Sequence, residues 1–172
     1  MFSSTAEPRV SDRFRAAVVT VSDSCWRGER TDLSGPAVAQ FLQELQFDVV
    51  AHETVADDFI QIQNLLIRLA RDVQLVITIG GTGIALRDVT PEATTAVCDR
   101  LVDGVAERMR SEGIKKTPFA ALSRSVCGIC GRALIVNLPG SPRGALQSLG
   151  AVIDLIPHAL DLLAGKTEHK EA

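Results

Sequence analysis

Long apolar runs are missing from this chain. No stretch of its 172 residues is long and apolar enough to span a membrane. Met1 to Ser11 is polar and lacks the apolar core of a secretion signal. The expectation is a cytoplasmic protein with a flexible tail over residues 1–14. Positive charge is not in excess either. Lys and Arg number 18 against 21 Asp and Glu, a net charge of −3. Neither nucleic acid nor a membrane is therefore expected as a partner, and an anionic ligand must be met by local cations and helix N-termini. Cysteine is sparse, with Cys25, Cys98, Cys127 and Cys130. Cys127-Gly128-Ile129-Cys130 has redox-like or zinc-like spacing, but no second pair or suitably arranged histidine accompanies it. The favoured reading is a turn between two strands with incidental thiols.

The common nucleotide motifs are also missing. The dinucleotide fingerprint needs a third glycine where this chain has Leu86. Gly165-Lys166-Thr167 has the ending of a phosphate loop, but Leu160 stands at the first glycine position and an apolar helix precedes it. It reads as a helix end and tail, with the tail over residues 166–172. No serine-hydrolase arrangement surrounds Ser123, and His52, His158 and His169 receive no role. There is no internal repeat and no linker, so one domain is expected over residues 15–165.

What is present alternates between two periods. Arg15 to Ser22, Asp48 to Val55 and Leu75 to Ile79 read as strands. Between them, Val38, Phe41, Leu42 and Leu45, then Phe59, Ile62, Leu65, Leu66 and Leu69, recur at helical spacing. Ser34-Gly35-Pro36 opens the first of these helices. Further helices are expected at Pro91 to Cys98 and Gly104 to Ser111, and strands at Ser125 to Ile129 and Ala133 to Leu138. The turn at Cys130-Gly131 makes the last two strands a hairpin, so one is an antiparallel edge. A final helix runs from Pro142 to Leu163, kinked at Pro157. The pattern predicts an α/β fold in three layers, a mostly parallel sheet with helices on both faces.

Ligands of such sheets bind at the carboxyl ends of strands. Four segments should converge there: Ser22-Asp23-Ser24, Ala56-Asp57-Asp58, the glycine loop from Gly80, and Asn137-Leu138-Pro139-Gly140-Ser141-Pro142. In the loop, Gly80, Gly81 and Gly83 allow backbone N–H groups to approach a ligand. Arg87 and Asp88 follow, and Thr90-Pro91 reads as the cap and first residue of a helix. Together these features suggest a phosphate site with a carboxylate that binds metal or moves a proton. Asp58 suits a helix cap with Gln61. Asp57 is less well explained that way and stays open between structure and function. Ser141 can cap the last helix, and that end can also cradle a phosphate or carboxylate.

These residues resemble a known family. Val19 to Asp23, Asp32 to Pro36, Asp57-Asp58, Gly80 to Thr94, Thr117 to Ser125 and Asn137 to Pro142 are similar to the molybdenum-cofactor biosynthesis family of the bacterial Mog protein and the gephyrin G domain. The resemblance implies a homotrimer that joins ATP and molybdopterin, with magnesium, into adenylated molybdopterin and pyrophosphate. A downstream molybdenum-insertion enzyme takes the product. It implies Asp57 and Asp88 as metal-binding and catalytic residues and Ser123 as a catalytic residue that handles the pterin. Substrate binding is implied for Ser22, Asp23, Gly80, Gly81, Thr82, Gly83, Arg87, Thr90, Pro91, Glu92, Arg124, Asn137, Pro139, Gly140, Ser141 and Pro142. The alternative is a non-catalytic molybdopterin carrier or scaffold of the MoaB type.

Overall fold

The computed structural model describes residues 13–166. The rest of the two expected tails, residues 1–12 and 167–172, lies outside the described residues. Phe14, assigned to the tail in sequence, packs on the core and meets Phe47 at a ring-centroid distance of 6.2 Å.

Four strands run parallel: β1 (Arg15–Val21), β2 (Asp48–Val55), β3 (Leu75–Ile79) and β6 (Ala133–Leu138). Two antiparallel strands, β5 (Cys127–Cys130) and β4 (Arg100–Leu101), complete the order β2-β1-β3-β6-β5-β4. The β5–β6 turn carries Gly131 at φ 61°, a left-handed conformation that glycine adopts without steric cost. β4, only two residues long, had no periodicity to reveal it.

Side chains alternate across the sheet. Ala16, Val18, Ile77 and Val136 face α2 (Ser34–Glu44), α5 (Asp103–Ile114), α6 (Pro142–Val152) and α7 (Ile156–Leu163). Ala17, Val19, Val76 and Ile135 face α3 (Phe59–Asp72) and α4 (Thr90–Val97). The three-layer expectation therefore holds. Buried anchors such as Leu42, Leu66 and Leu149 each contribute about 1.5–3 kcal/mol by leaving water.

Three local readings change. The last helix is two helices, α6 and α7, bent by 63°. Pro157 sits in the first turn of α7, where its missing N–H costs nothing, rather than kinking one continuous rod. The bend keeps Leu149, Val152, Ile156 and Leu160 all on the sheet. Secondly, Thr90 is the first residue of α4 and does not cap it; its hydroxyl donates to Gly80 O at 2.8 Å. Thirdly, Ser22, read as the end of the first strand, lies just beyond it: its Oγ accepts from Cys25 N–H at 3.3 Å and opens the short α1 (Asp23–Trp26). Asp58 does cap α3, accepting from Gln61 N–H at 2.9 Å. Among the described residues, no single helix is long and apolar enough to cross a membrane.

Candidate active site

The four predicted segments meet at the carboxyl ends of β1, β2, β3 and β6. Their junction depends on close backbone approach. Gly80 (φ 102°) lies so near Val21 that a Cβ would overlap the Val21 carbonyl oxygen. Gly81 (φ 64°) would place a Cβ into Thr90 Oγ1 and within 3.1 Å of Asp57 Oδ1. Any larger residue would push these strands and the Asp57 carboxylate apart.

Asp57 and Asp23 lock two strand ends together. Asp23 N–H donates to Asp57 Oδ2 at 2.9 Å, and Asp57 N–H donates to Asp23 Oδ1 at 3.0 Å. Arg87 closes on Asp23 with Nη2 at 2.6 Å from Oδ2. Burial raises the Asp23 carboxyl, but the Asp57 N–H and the Arg87 guanidinium outweigh it and hold Asp23 below its ordinary value. Asp57 shifts the other way. Burial and the negative charges of Asp23 and Asp88 push it up, against the Asp23 N–H and Arg87. Asp57 is thus a partly buried acid short of positive charge. Asp88 accepts from Ala85 N–H at 3.0 Å.

Two clefts of similar size flank this junction. The first, about 510 Å³, is bordered by Ser22, Asp57, Gly80 and Pro142, and by a loop from Arg30 to Ser34. The second, about 490 Å³, is bordered by Thr82, Gly83, Ser123, Ser125, Phe119 and Pro139. They share Gly81, Asp88, Gly140 and Ser141, which form the rim between them. Ser141 Oγ accepts from Gly144 N–H at 3.1 Å, so its hydroxyl caps α6. In the second cleft Ser123 Oγ donates to Ser125 Oγ at 3.0 Å, and Arg110, which also lines this cleft, donates from Nη1 to the Ser125 carbonyl at 2.8 Å.

Seven of the implied substrate contacts line neither cleft: Asp23, Arg87, Thr90, Pro91, Glu92, Arg124 and Asn137. Six of them make side-chain bonds to protein partners, and Pro91 is buried in the first turn of α4. Asn137 is fully buried; its Nδ2 donates to Thr78 Oγ1 at 2.8 Å and to Thr94 Oγ1 at 2.9 Å, and its Oδ1 accepts from Val126 N–H at 3.2 Å. Thr90, Pro91 and Asn137 are buried and brace the frame of the clefts, whereas Arg87 and Glu92 stay open to solvent.

The loop from Arg30 to Ser34 was not singled out as part of the site in sequence, because a polar loop has no periodicity. Arg30 is the one cation among the described residues lining the first cleft. Asp32 anchors the loop. Thr20 Oγ1 donates to Asp32 Oδ2 at 2.6 Å, Gly35 N–H donates to Oδ1 at 2.9 Å, and His52 Nε2 lies 3.1 Å from Oδ2. Burial raises the Asp32 carboxyl, but these three partners outweigh it and leave it below its ordinary value. His52, given no role in sequence, thus braces a cleft wall.

The cysteine motif is a strand. Cys127 belongs to the core on one sheet face and Cys130 packs against the other, so the two thiols cannot share a ligand. Burial pushes Cys98 and Cys127 up to about 12. Among the described residues, no group of three or more His, Cys, Asp or Glu is arranged to hold a metal.

Residues 17–158 match the family described as "Probable molybdopterin binding domain". The chain is 42% identical over 152 residues to the molybdopterin adenylyltransferase of Helicobacter pylori strain J99, covering 86% of each chain. It is 36% identical over 167 residues to that of Escherichia coli K12, covering 88% of this chain and 86% of the other. Among solved structures, the molybdopterin biosynthesis enzyme MoaB of Thermus thermophilus superposes with a TM-score of 0.84 at 50% identity, covering 89% of this chain and 98% of that one. The Mog protein of Mycobacterium ulcerans superposes with a TM-score of 0.81 at 40% identity, covering 90% and 99%.

Proposed function

The chain belongs to the molybdopterin-binding domain family, and from that premise we propose that it is a molybdopterin adenylyltransferase. A terminal phosphate oxygen of molybdopterin attacks the α-phosphorus of ATP. The new P–O bond replaces the bond to the β-phosphate, and pyrophosphate leaves with that electron pair. The observation that carries this reading is the pair of clefts sharing one rim. A reaction that joins two substrates through their phosphates needs two pockets whose phosphate ends meet.

The second cleft suits the pterin. It offers Ser123 and Ser125 hydroxyls beside the apolar surfaces of Phe119 and Leu122, which fits a flat ring with polar edges. The first suits the nucleotide, with Arg30 as the cation for its phosphates. Gly81 and Gly140 stand on the shared rim where the reacting phosphates meet, and Asp88 borders both clefts. The chain's own part in catalysis is to align two phosphates and to limit their repulsion.

Magnesium fits Asp57 and Asp88. Both supply hard oxygen donors, and the raised Asp57 acid marks uncompensated negative charge that a divalent cation relieves. Asp57 and Asp88 would hold the ion, and bound there it would supply positive charge beside the reacting phosphates. The family resemblance also supports a homotrimer, tested by light scattering on the purified protein, and a downstream molybdenum-insertion enzyme that takes the adenylated product.

The decisive assay is pyrophosphate release and adenylated-pterin formation from purified protein, fresh molybdopterin and magnesium ATP. Asp57→Ala and Asp88→Ala should each lower turnover by about 100-fold or more while the fold persists. Similarity to a protein named MoaB keeps a second reading in view. Bound molybdopterin without pyrophosphate release selects a carrier instead of an enzyme.

A further inference from the structure

Arg124 is absent from the walls of both clefts, yet it touches the turn that separates them from three directions. Its backbone N–H donates to Thr82 O at 2.8 Å. Its Nε donates to Gly83 O at 2.7 Å and its Nη2 to Asp88 O at 2.6 Å. Its Nη1 pairs with Glu92 at the start of α4. One planar guanidinium therefore bridges the first and last residues of the turn 83–88.

Little else holds that turn. Internally, Asp88 N–H donates to Ala85 O at 2.9 Å, and Ala85 N–H donates to Asp88 Oδ2 at 3.0 Å. Ile84 and Leu86 at the apex are exposed and contribute no core packing. Arg87 ties the turn to Asp23 through an exposed ion pair, which is weak in water. The Asp88 carboxylate rests against Gly83, where a Cβ would come within 2.8 Å of Oδ2. A shift of the Gly83–Asp88 chord therefore moves the one carboxylate that borders both clefts.

We propose that Arg124 is a positioning residue, a planar clamp that fixes Asp88 on the rim between the nucleotide and pterin clefts. The inference rests on the adenylyl-transfer reading. Its geometry depends on the shape of the guanidinium as much as on its charge. A lysine ammonium is a point donor and cannot span two carbonyls and a carboxylate in one plane. Arg124 also follows Ser123 directly, so the clamp ties the pterin cleft to the nucleotide side of the rim.

The test compares Arg124→Lys with Glu92→Gln, which keeps both carbonyl contacts. In the ligand-free protein, amide exchange over residues 84–88 should accelerate by about tenfold or more in Arg124→Lys and change little in Glu92→Gln. With substrates, kcat of Arg124→Lys should fall by about 10–100-fold, because small misplacement of a positioned group costs on that order. Half-saturation by magnesium should rise, while the Kd for molybdopterin stays within about threefold of wild type. Four results would overturn the proposal: unchanged exchange in Arg124→Lys; weakened pterin binding with normal kcat at saturation, which would make Arg124 a substrate contact; a lower Tm with normal kcat and exchange, which would make it a structural strut; or equally accelerated exchange over residues 84–88 in Glu92→Gln, which would place the effect in the ion pair. If Arg124→Lys does not fold, Arg124→Gln gives the same exchange reading, since it too removes the bridge. If the wild-type protein itself releases no pyrophosphate, the adenylyl-transfer reading fails, while exchange over residues 84–88 still judges the clamp.

Discussion

Replacing Asn137 with alanine should cost far more than an ordinary polar substitution. Asn137 is fully buried on β6 and joins it to β3, to α4 and to the segment just before β5. It donates to Thr78 on β3 at 2.8 Å and to Thr94 on α4 at 2.9 Å, and accepts from Val126 N–H at 3.2 Å. Each neutral hydrogen bond contributes about 1 kcal/mol net, and an orphaned buried donor costs about 1–3 kcal/mol. The threonine hydroxyls can turn to other acceptors, which offsets part of the loss. Val126 N–H has no such freedom. The expected loss is about 3–5 kcal/mol, a large share of the roughly 5–15 kcal/mol that stabilises a typical domain. Equilibrium urea unfolding followed by circular dichroism measures it directly. Asn137→Leu keeps the volume and removes the bonds, so it should be nearly as unstable as Asn137→Ala. A loss below about 1 kcal/mol in both variants, with Val126 amide exchange unchanged, would refute the hub reasoning.

Asp57→Asn should abolish most turnover and yet stabilise the fold near neutral pH. The Asp57 carboxyl titrates above its ordinary value when folded, so its charged form opposes folding. That penalty is absent below the unfolded carboxylate pKa and grows as pH rises through the folded value; the gain of Asp57→Asn should therefore appear at about pH 7 and vanish near pH 3, read by thermal unfolding at each pH. Gly81→Ala should lose about 2 kcal/mol and most activity, because a positive φ and a clash with Thr90 coincide there. Wild-type urea stability in that variant would remove the close-approach argument. Cys130→Ala should leave metal content and turnover unchanged, and native Cys98 and Cys127 should resist thiol reagents at about pH 8, since burial pushes both thiols up to about 12. Stoichiometric zinc lost on mutation would contradict the reading of β5 as a plain strand.

The long elements were legible because each carries its own period. β2 was readable at both ends, and α3 at its start, where Asp58 and Gln61 form a local cap. Short elements carried no such signal. β4 exists because Arg100 and Leu101 pair with Ile129 and Gly128, residues distant in sequence. The split of α6 from α7 was misread because one apolar stripe serves equally well for one kinked helix or two bent ones.

Site residues divided in the same way. The glycines, Asp57 and Asp88 stood out because strand ends and turn residues mark where an α/β sheet binds ligands, whereas Ser123 was named as catalytic only through the family resemblance. Arg124, Glu92 and Asn137 lie in the same motifs, and only their partners show that they support the walls. The loop bearing Arg30 and Asp32 joined the first cleft through Thr20 and His52, contacts that span 12 and 20 residues of chain.

Sequence by itself determined the layers, the parallel part of the sheet and the edge where a ligand binds, because hydrophobic period and turn chemistry are local properties. Tertiary structure alone decided that this edge holds two clefts and that Asp88 stands on the rim between them. It also decided that Asp57 is a raised acid and Asp23 a lowered one. Two aspartates have the same chemistry in a sequence; burial, an arginine on one of them and the charge of neighbours brought close by folding make them different.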